Sequence, residues 1–175
     1  MGYSVKFNFL KKNATWSSIL GLLGLIILFN LLIFPFVYGS KKDNATIDTQ
    51  FSYSSEKAYK ILEKYNDEEL KRYIIGELTA DLVYPIVYTL FFSFFIFNLS
   101  KKVALSLLPL LILGSDYLEN FGIVAIVYFY PQELPKIVTL TSSFTSLKWT
   151  LVAIFILLIL LLLVMKLYKH RKNEF

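Results

Sequence analysis

Residues 79–130 read TADLVYPIVYTLFFSFFIFNLS, then Lys101-Lys102, then VALSLLPLLILGSDYLENFGIVAIVYFY. Each apolar run is long enough, at about 1.5 Å per residue, to cross a hydrocarbon core about 30 Å thick. A chain with two such runs is read as a helical membrane protein, and the rest of the sequence extends the pattern. Two further apolar runs, Ser17 to Tyr38 and Leu147 to Met165, bring the expected spans to four: about 17–38, 79–100, 103–130 and 147–165. The expected fold is an all-α membrane protein, one integral membrane domain over residues 1–175, with the spans packed as an antiparallel four-helix bundle.

Composition agrees with that reading. Of 175 residues, 56% are hydrophobic, and 16 Phe, 12 Tyr and 2 Trp supply more apolar side chain than a soluble domain of this size can bury. The same numbers exclude a disordered chain. With no Cys, the chain has no disulfide, thiolate metal site or thiol redox chemistry, and its one histidine, His170, lies in the terminal tail. No metal site and no cofactor are expected. A cleaved signal peptide is the rival reading of the first run, since Lys6, Lys11 and Lys12 precede it and Val37-Tyr38-Gly39 resembles a cleavage site. Its apolar length exceeds the usual signal core and favours a true span.

Charge beside the spans sets the expected direction. Lys6, Lys11, Lys12, Lys101, Lys102, Lys166, Lys169, Arg171 and Lys172 flank them with one acid, Glu174, among them. Those segments should be cytoplasmic. The long loop, about 41–78, holds seven cations and eight acids and is nearly neutral. Both termini inside and this loop outside is the consistent arrangement. The net charge of +5 then reflects topology, and no basic groove with interleaved aromatic residues points to a nucleic acid.

The loop carries its own helical pattern. From Ser55 as N-cap, Ala58, Ile61, Leu62 and Tyr65 fall on one face, with Glu56, Lys57, Lys60, Glu63 and Lys64 on the other. Asn66-Asp67 interrupts this helix and caps a second, in which Leu70, Tyr73, Ile74 and Leu78 repeat the spacing and lead into the second span. The expectation is an extracytoplasmic amphipathic helical hairpin, lying on the membrane surface or over the bundle. Docking of a partner is the second reading of the same face. Pro131 and Pro135 bracket a short turn, and Thr139 to Ser146 begin the fourth helix.

Asp116, Glu119 and Asn120 lie near the middle of the third span. An ionised group at that depth costs roughly 2.5 to 3.5 kcal/mol on insertion scales, so these residues must face partners or water. Spacings of three and four put them on one helical face. Two carboxylates so placed repel, and the pair is expected to hold at least one proton at neutral pH. In the second span, Asp81, Tyr84 and Tyr88 again share a face, beside Pro85. Lys148 stands at the outer end of the fourth span next to Trp149, and Asn30 in the outer half of the first.

These groups can converge on a polar pocket open to the outside and lined by Asp81, Tyr84, Tyr88, Asp116, Glu119, Asn120 and Lys148. Plainer readings stand beside it. Lys148 and Trp149 read as a snorkelling cation and an interface anchor, Asp81 as a cap facing water, and Asn30 as interhelical glue. Gly21, Gly24, Gly114 and Gly122 read as points of close helix approach, and Pro109 as a kink. No G-x-S-x-G, H-E-x-x-H, Walker or Rossmann pattern occurs, so the familiar hydrolase, zinc-protease and nucleotide sites are unsupported.

The order of the Tyr-rich hairpin, Asp81-Leu-Val-Tyr84-Pro85-Ile-Val-Tyr88, Leu-Leu-Pro109, Asp116-Tyr-Leu-Glu119-Asn120, Tyr130-Pro131 and Ser146-Leu-Lys148-Trp149 resembles a family of small four-helix bacterial inner-membrane proteins. The resemblance covers residues 50–165. It implies a multi-pass protein of the bacterial cytoplasmic membrane and implies no activity. The function expected from the residues is binding or movement of a small polar solute, a cation or proton, or a lipid headgroup. Two alternatives stay open: a metal-independent membrane enzyme acting on a lipid or isoprenoid, and a non-catalytic complex subunit or immunity-type protein. Membrane lipids are the expected partners, with a second copy of the chain or a membrane complex partner as further ones. Inverted repeats are not evident, and a homodimer would supply the second half of a pathway.

Overall fold

The computed structural model describes residues 2–39 and 46–172, and all regular structure among them is helical. Residues 40–45, which begin the expected loop, and Glu174 lie outside the described residues. Four helical stretches are long and apolar enough to cross a membrane: Trp16–Tyr38, Asp67–Ser100, Val103–Phe129 and Pro135–Lys169.

The first stretch is α2 (Trp16–Leu28), a π turn (Phe29–Ile33) and α3 (Phe34–Tyr38). Thr15 caps it, its hydroxyl accepting from the Ser18 amide at 3.2 Å. Ahead of it, α1 (Gly2–Asn13) is a helix that apolar patterning did not announce. Its Leu10, with Ala14, packs against Ile19, Phe94 and Phe97.

Helices α4 (Ser55–Leu62) and α5 (Asp67–Leu78) follow where the spacing placed them. The cap of α4 is Ser54 rather than Ser55, because the Ser54 hydroxyl accepts from the Lys57 amide at 3.2 Å. Asn66 caps α5 in a capping box with Glu69. Ala58, Ile61, Leu62 and Tyr73 are buried, joining Ile123, Ile126 and Val127 of the third stretch and Val138 of the fourth. Leu78, expected on the same face, is exposed. Only Thr79, with φ −126° and ψ −79°, separates α5 from α6 (Ala80–Ser100).

The third stretch breaks at Leu108 and Pro109 into α7 (Val103–Leu107) and α8 (Leu110–Phe129). This is a sharper event than the expected kink, and it follows from the amide hydrogen that proline lacks. The fourth stretch lies within α9 (Pro135–Lys172), a continuous helix of 38 residues, about 57 Å long at 1.5 Å per residue. That exceeds a hydrocarbon core, so the expected span 147–165 is only its middle. The Thr- and Ser-rich first turns dock the chain before α4. Ser142 Oγ accepts from the Tyr53 amide at 2.9 Å, and Ser146 Oγ donates to the Phe51 carbonyl at 2.9 Å.

Burial divides the four. Half of the apolar window in Asp67–Ser100 and 44% of that in Val103–Phe129 are buried, against 11% in each of the other two stretches. Helices α6 and α8 therefore form the centre, with α2 along α6 and α9 along α8 and α6. Of the four glycines read as close approaches, one qualifies. A Cβ on Gly122 would collide with the Thr141 side chain, whereas Gly21, Gly24 and Gly114 face open space. Gly76, which the pattern did not single out, is a second close approach: a Cβ there would stand 2.5 Å from the Tyr38 ring.

Candidate functional site

Proline 85 sits inside α6 and has no amide hydrogen, so the carbonyl of Asp81, four residues earlier, loses its helical donor. Asn120 Nδ2 of α8 donates to that carbonyl at 2.7 Å, and Tyr117 Oη donates to the next one, Leu82, at 2.8 Å. The polar face of α8 thus repairs the defect in α6 and holds the two central helices in register.

One turn away, Asp116 accepts the Tyr88 hydroxyl in a short hydrogen bond. Lys148 of α9 reaches in from the other side. Its Nζ lies 2.5 Å from Glu119 Oε2 and 3.9 Å from Asp116 Oδ2. Apart from this contact, neither Glu119 oxygen has a polar partner among the described residues. Glu119 is fully buried and Lys148 only 9% exposed. Lys148 therefore does not snorkel: its ammonium turns inward to two buried carboxylates instead of outward to water. The cation also answers part of the repulsion expected between Asp116 and Glu119.

A second polar group lies at the junction of α3, α5 and α6. The Tyr38 hydroxyl donates to Asp81 in a short hydrogen bond and lies 3.4 Å from Glu77 Oε1. Glu77 is 1% exposed, and its Oε2 has no partner among the described residues. Asn30 Nδ2, in the π turn, donates to the Tyr84 hydroxyl at 2.8 Å and to the Ile26 carbonyl at 2.8 Å. Asp48, on the segment before α4, accepts from the Tyr73 hydroxyl at 3.3 Å. Outside the membrane-spanning stretches, burial pushes the Tyr53 hydroxyl well above the ordinary phenol range, and burial with nearby Asp48 and Glu69 lifts Tyr65 to about 12.

These groups surround one end of a cavity of about 890 Å³ between α2 and α9, floored by α6. Asp48, Asp81, Asp116, Lys148, Tyr38, Tyr84 and Tyr88 line that end. The remaining length is apolar, walled by Leu23 and Ile26 on one side, Val152, Ile156, Ile159 and Leu160 on the other, with Phe91, Phe92 and Phe95 beneath. The lining on α9 runs from Lys148 to Leu160, about 18 Å of helix. At the far end the Lys166 ammonium stands 5.8 Å over the Trp16 ring, joining α9 to α2.

Five of the seven expected pocket residues line this cavity: Asp81, Tyr84, Tyr88, Asp116 and Lys148. Glu119 and Asn120 do not. Glu119 is packed behind Lys148, and Asn120 is committed to the Asp81 carbonyl. Three polar residues escaped the sequence reading. Glu77 is one of the eight acids of the nearly neutral loop, although it falls one turn before Asp81 and extends the Asp81-Tyr84-Tyr88 stripe. Tyr38 passed as the end of the first span, and Asp48 has no pattern that marks it.

No family model, curated protein or solved structure matches the chain. The chemistry of the site therefore stands on its own residues. Among the described residues no cluster of His, Cys, Asp and Glu is suited to hold a metal ion.

Proposed function

We propose that this chain is a multi-pass protein of a bacterial cytoplasmic membrane that binds an amphiphile, its headgroup among the charged residues and its tail along the apolar trough. The observation that carries the reading is the continuity of one cavity from Asp81, Asp116 and Lys148 to Ile159 and Leu160. Its volume falls within the roughly 300–1,000 Å³ of small-molecule sites. A small polar solute or a proton would use the charged end and leave the trough without a purpose. A lipid uses both.

Access follows from the packing. Helix α2 rests on α6, and α9 on α8 and α6, so an acyl chain reaches the trough between them sideways from the bilayer. In the orientation we propose, both termini are cytoplasmic and α4 with α5 form an extracytoplasmic cap over the head end. Exposed Lys11, Lys12, Lys101, Lys102, Lys166 and Lys169 lie at the opposite end, as the positive-inside rule requires. The enzymatic alternative loses support, because Glu119 is packed behind Lys148 and the Asp116–Glu119 pair does not face an occupant together.

Native mass spectrometry of the protein released from maltoside micelles tests the reading. Wild type should retain a bound amphiphile, and Ile156→Trp, which fills the trough, should lose it while remaining folded. Wild type without any retained or exchangeable amphiphile refutes the proposal.

A further inference from the structure

Among the described residues, charge around the head end does not balance, and the imbalance points to the kind of head it suits. Lys148 is engaged with Glu119 and Asp116. Asp48, Asp81 and Glu77 take part in no ion pair among the described residues, and each is held only by tyrosine hydroxyls. Glu77 does not line the cavity; it stands beside the Tyr38 hydroxyl that bridges to Asp81, with its own Oε2 buried and unpaired among the described residues.

The aromatic lining points the same way. Tyr38, Tyr84, Tyr88 and Trp149 all border the cavity, and the Tyr84 and Tyr88 rings meet edge to face with centroids 5.2 Å apart. Ring faces attract cations, and aromatic walls with carboxylates suit an ammonium nitrogen better than a phosphate. The Lys148 ammonium already stands 5.6 Å over the Trp149 ring, which shows that a nitrogen cation is accommodated in this corner.

We infer that the amphiphile held by the cavity carries a positively charged nitrogen in its head, seated against Asp81 and Asp48 among the tyrosine rings. This deepens the amphiphile reading above and rests on it. An aminophospholipid and a single-chain quaternary ammonium amphiphile share that chemistry. In either case the nitrogen faces the acids, and the chain follows the trough past Phe92 toward Leu160.

The test measures thermal unfolding of the full chain in dodecyl maltoside with four probes: lysophosphatidylethanolamine, dodecyltrimethylammonium, lysophosphatidylglycerol and dodecanol. At least one ammonium probe should half-saturate its stabilisation at a concentration about tenfold below the anionic and neutral probes, a modest ratio for cation–π and ionic contacts combined. The tighter of the two ammonium probes identifies the source. Asp81→Asn should erase most of the preference, and Asp48→Asn, on the segment before α4, part of it. The Asp48 variant and the wild-type ranking carry the test should Asp81→Asn fail to fold. Equal response to all four probes, or a preference for lysophosphatidylglycerol, overturns the cationic head while leaving amphiphile binding intact. Response to none of them overturns both.

Discussion

Two ion pairs of nearly equal length sit in contrasting surroundings. On α4, Lys60 Nζ lies 2.6 Å from Glu56, with both side chains more than half exposed; between α9 and α8, Lys148 Nζ lies 2.5 Å from Glu119, with both buried. Distance does not separate them, but surroundings do. At the cap, water competes with each partner, and the pair trims the helix surface. In the bundle, Glu119 has no other cation beside it among the described residues, and losing Lys148 strands it. The cap can thus be read as an ordinary water-facing helical segment, whereas the bundle interior is organised by polar commitments that lipid would punish.

The sharpest way to break this contrast is Lys148→Ala. Leaving Glu119 buried without its cation should cost about 3–5 kcal/mol, measured by unfolding in mixed detergent micelles. The double variant Lys148→Met with Glu119→Leu should recover most of that loss. No recovery in the double variant would mean that packing around Lys148, not charge, is what matters.

A smaller effect is expected from Asn120→Leu, which strips the Asp81 carbonyl of its replacement donor and should cost about 1–3 kcal/mol. In a Pro85→Ala background the helix supplies its own amide, and the penalty of Asn120→Leu should shrink. If the penalty is the same in both backgrounds, the repair role of Asn120 is wrong.

At the cap, Ser54→Ala should cost about 1 kcal/mol through loss of the α4 cap, detected as faster hydrogen exchange confined to α4. Lys60→Ala should leave unfolding unchanged within error, in direct contrast to Lys148→Ala.

The least effect concerns pH. Burial first, then nearby Asp48 and Glu69, hold Tyr65 up to about 12, above the ordinary value of 10.0. A raised folded value favours folding below pH 10, and the contribution disappears as pH rises from 10 to about 12. Phenolate absorbance should show that Tyr65→Phe removes one titration near pH 12; removal of one near pH 10 would contradict the burial of this ring.

Much of the bundle was legible in the chain because lipid imposes simple rules. Long apolar runs must be helices, since no water is present to satisfy an open backbone, and Asp116 and Glu119 had to face inward. The stripe Asp81, Tyr84 and Tyr88 was legible for the same reason, as helical periodicity fixes which residues share a face. Lys148 carried two readings because a cation at a span end satisfies either water or a buried carboxylate equally well in one dimension. Glu77 was missed because it lies in a charged segment where an acid attracts no notice, and the small size of Gly76, which lets Tyr38 approach it, has meaning only across helices.

Residue order alone therefore determined the four apolar helical stretches and the inward charges, since these depend on periodicity and on the cost of polar groups in hydrocarbon. Tertiary structure decided which charges are spent and which stay open. Pairing of Lys148 with Glu119, the donation of Asn120 to the Asp81 carbonyl, and the gap between α2 and α9 all arise between residues far apart in the chain. Local sequence carries no energy term for contacts of that kind.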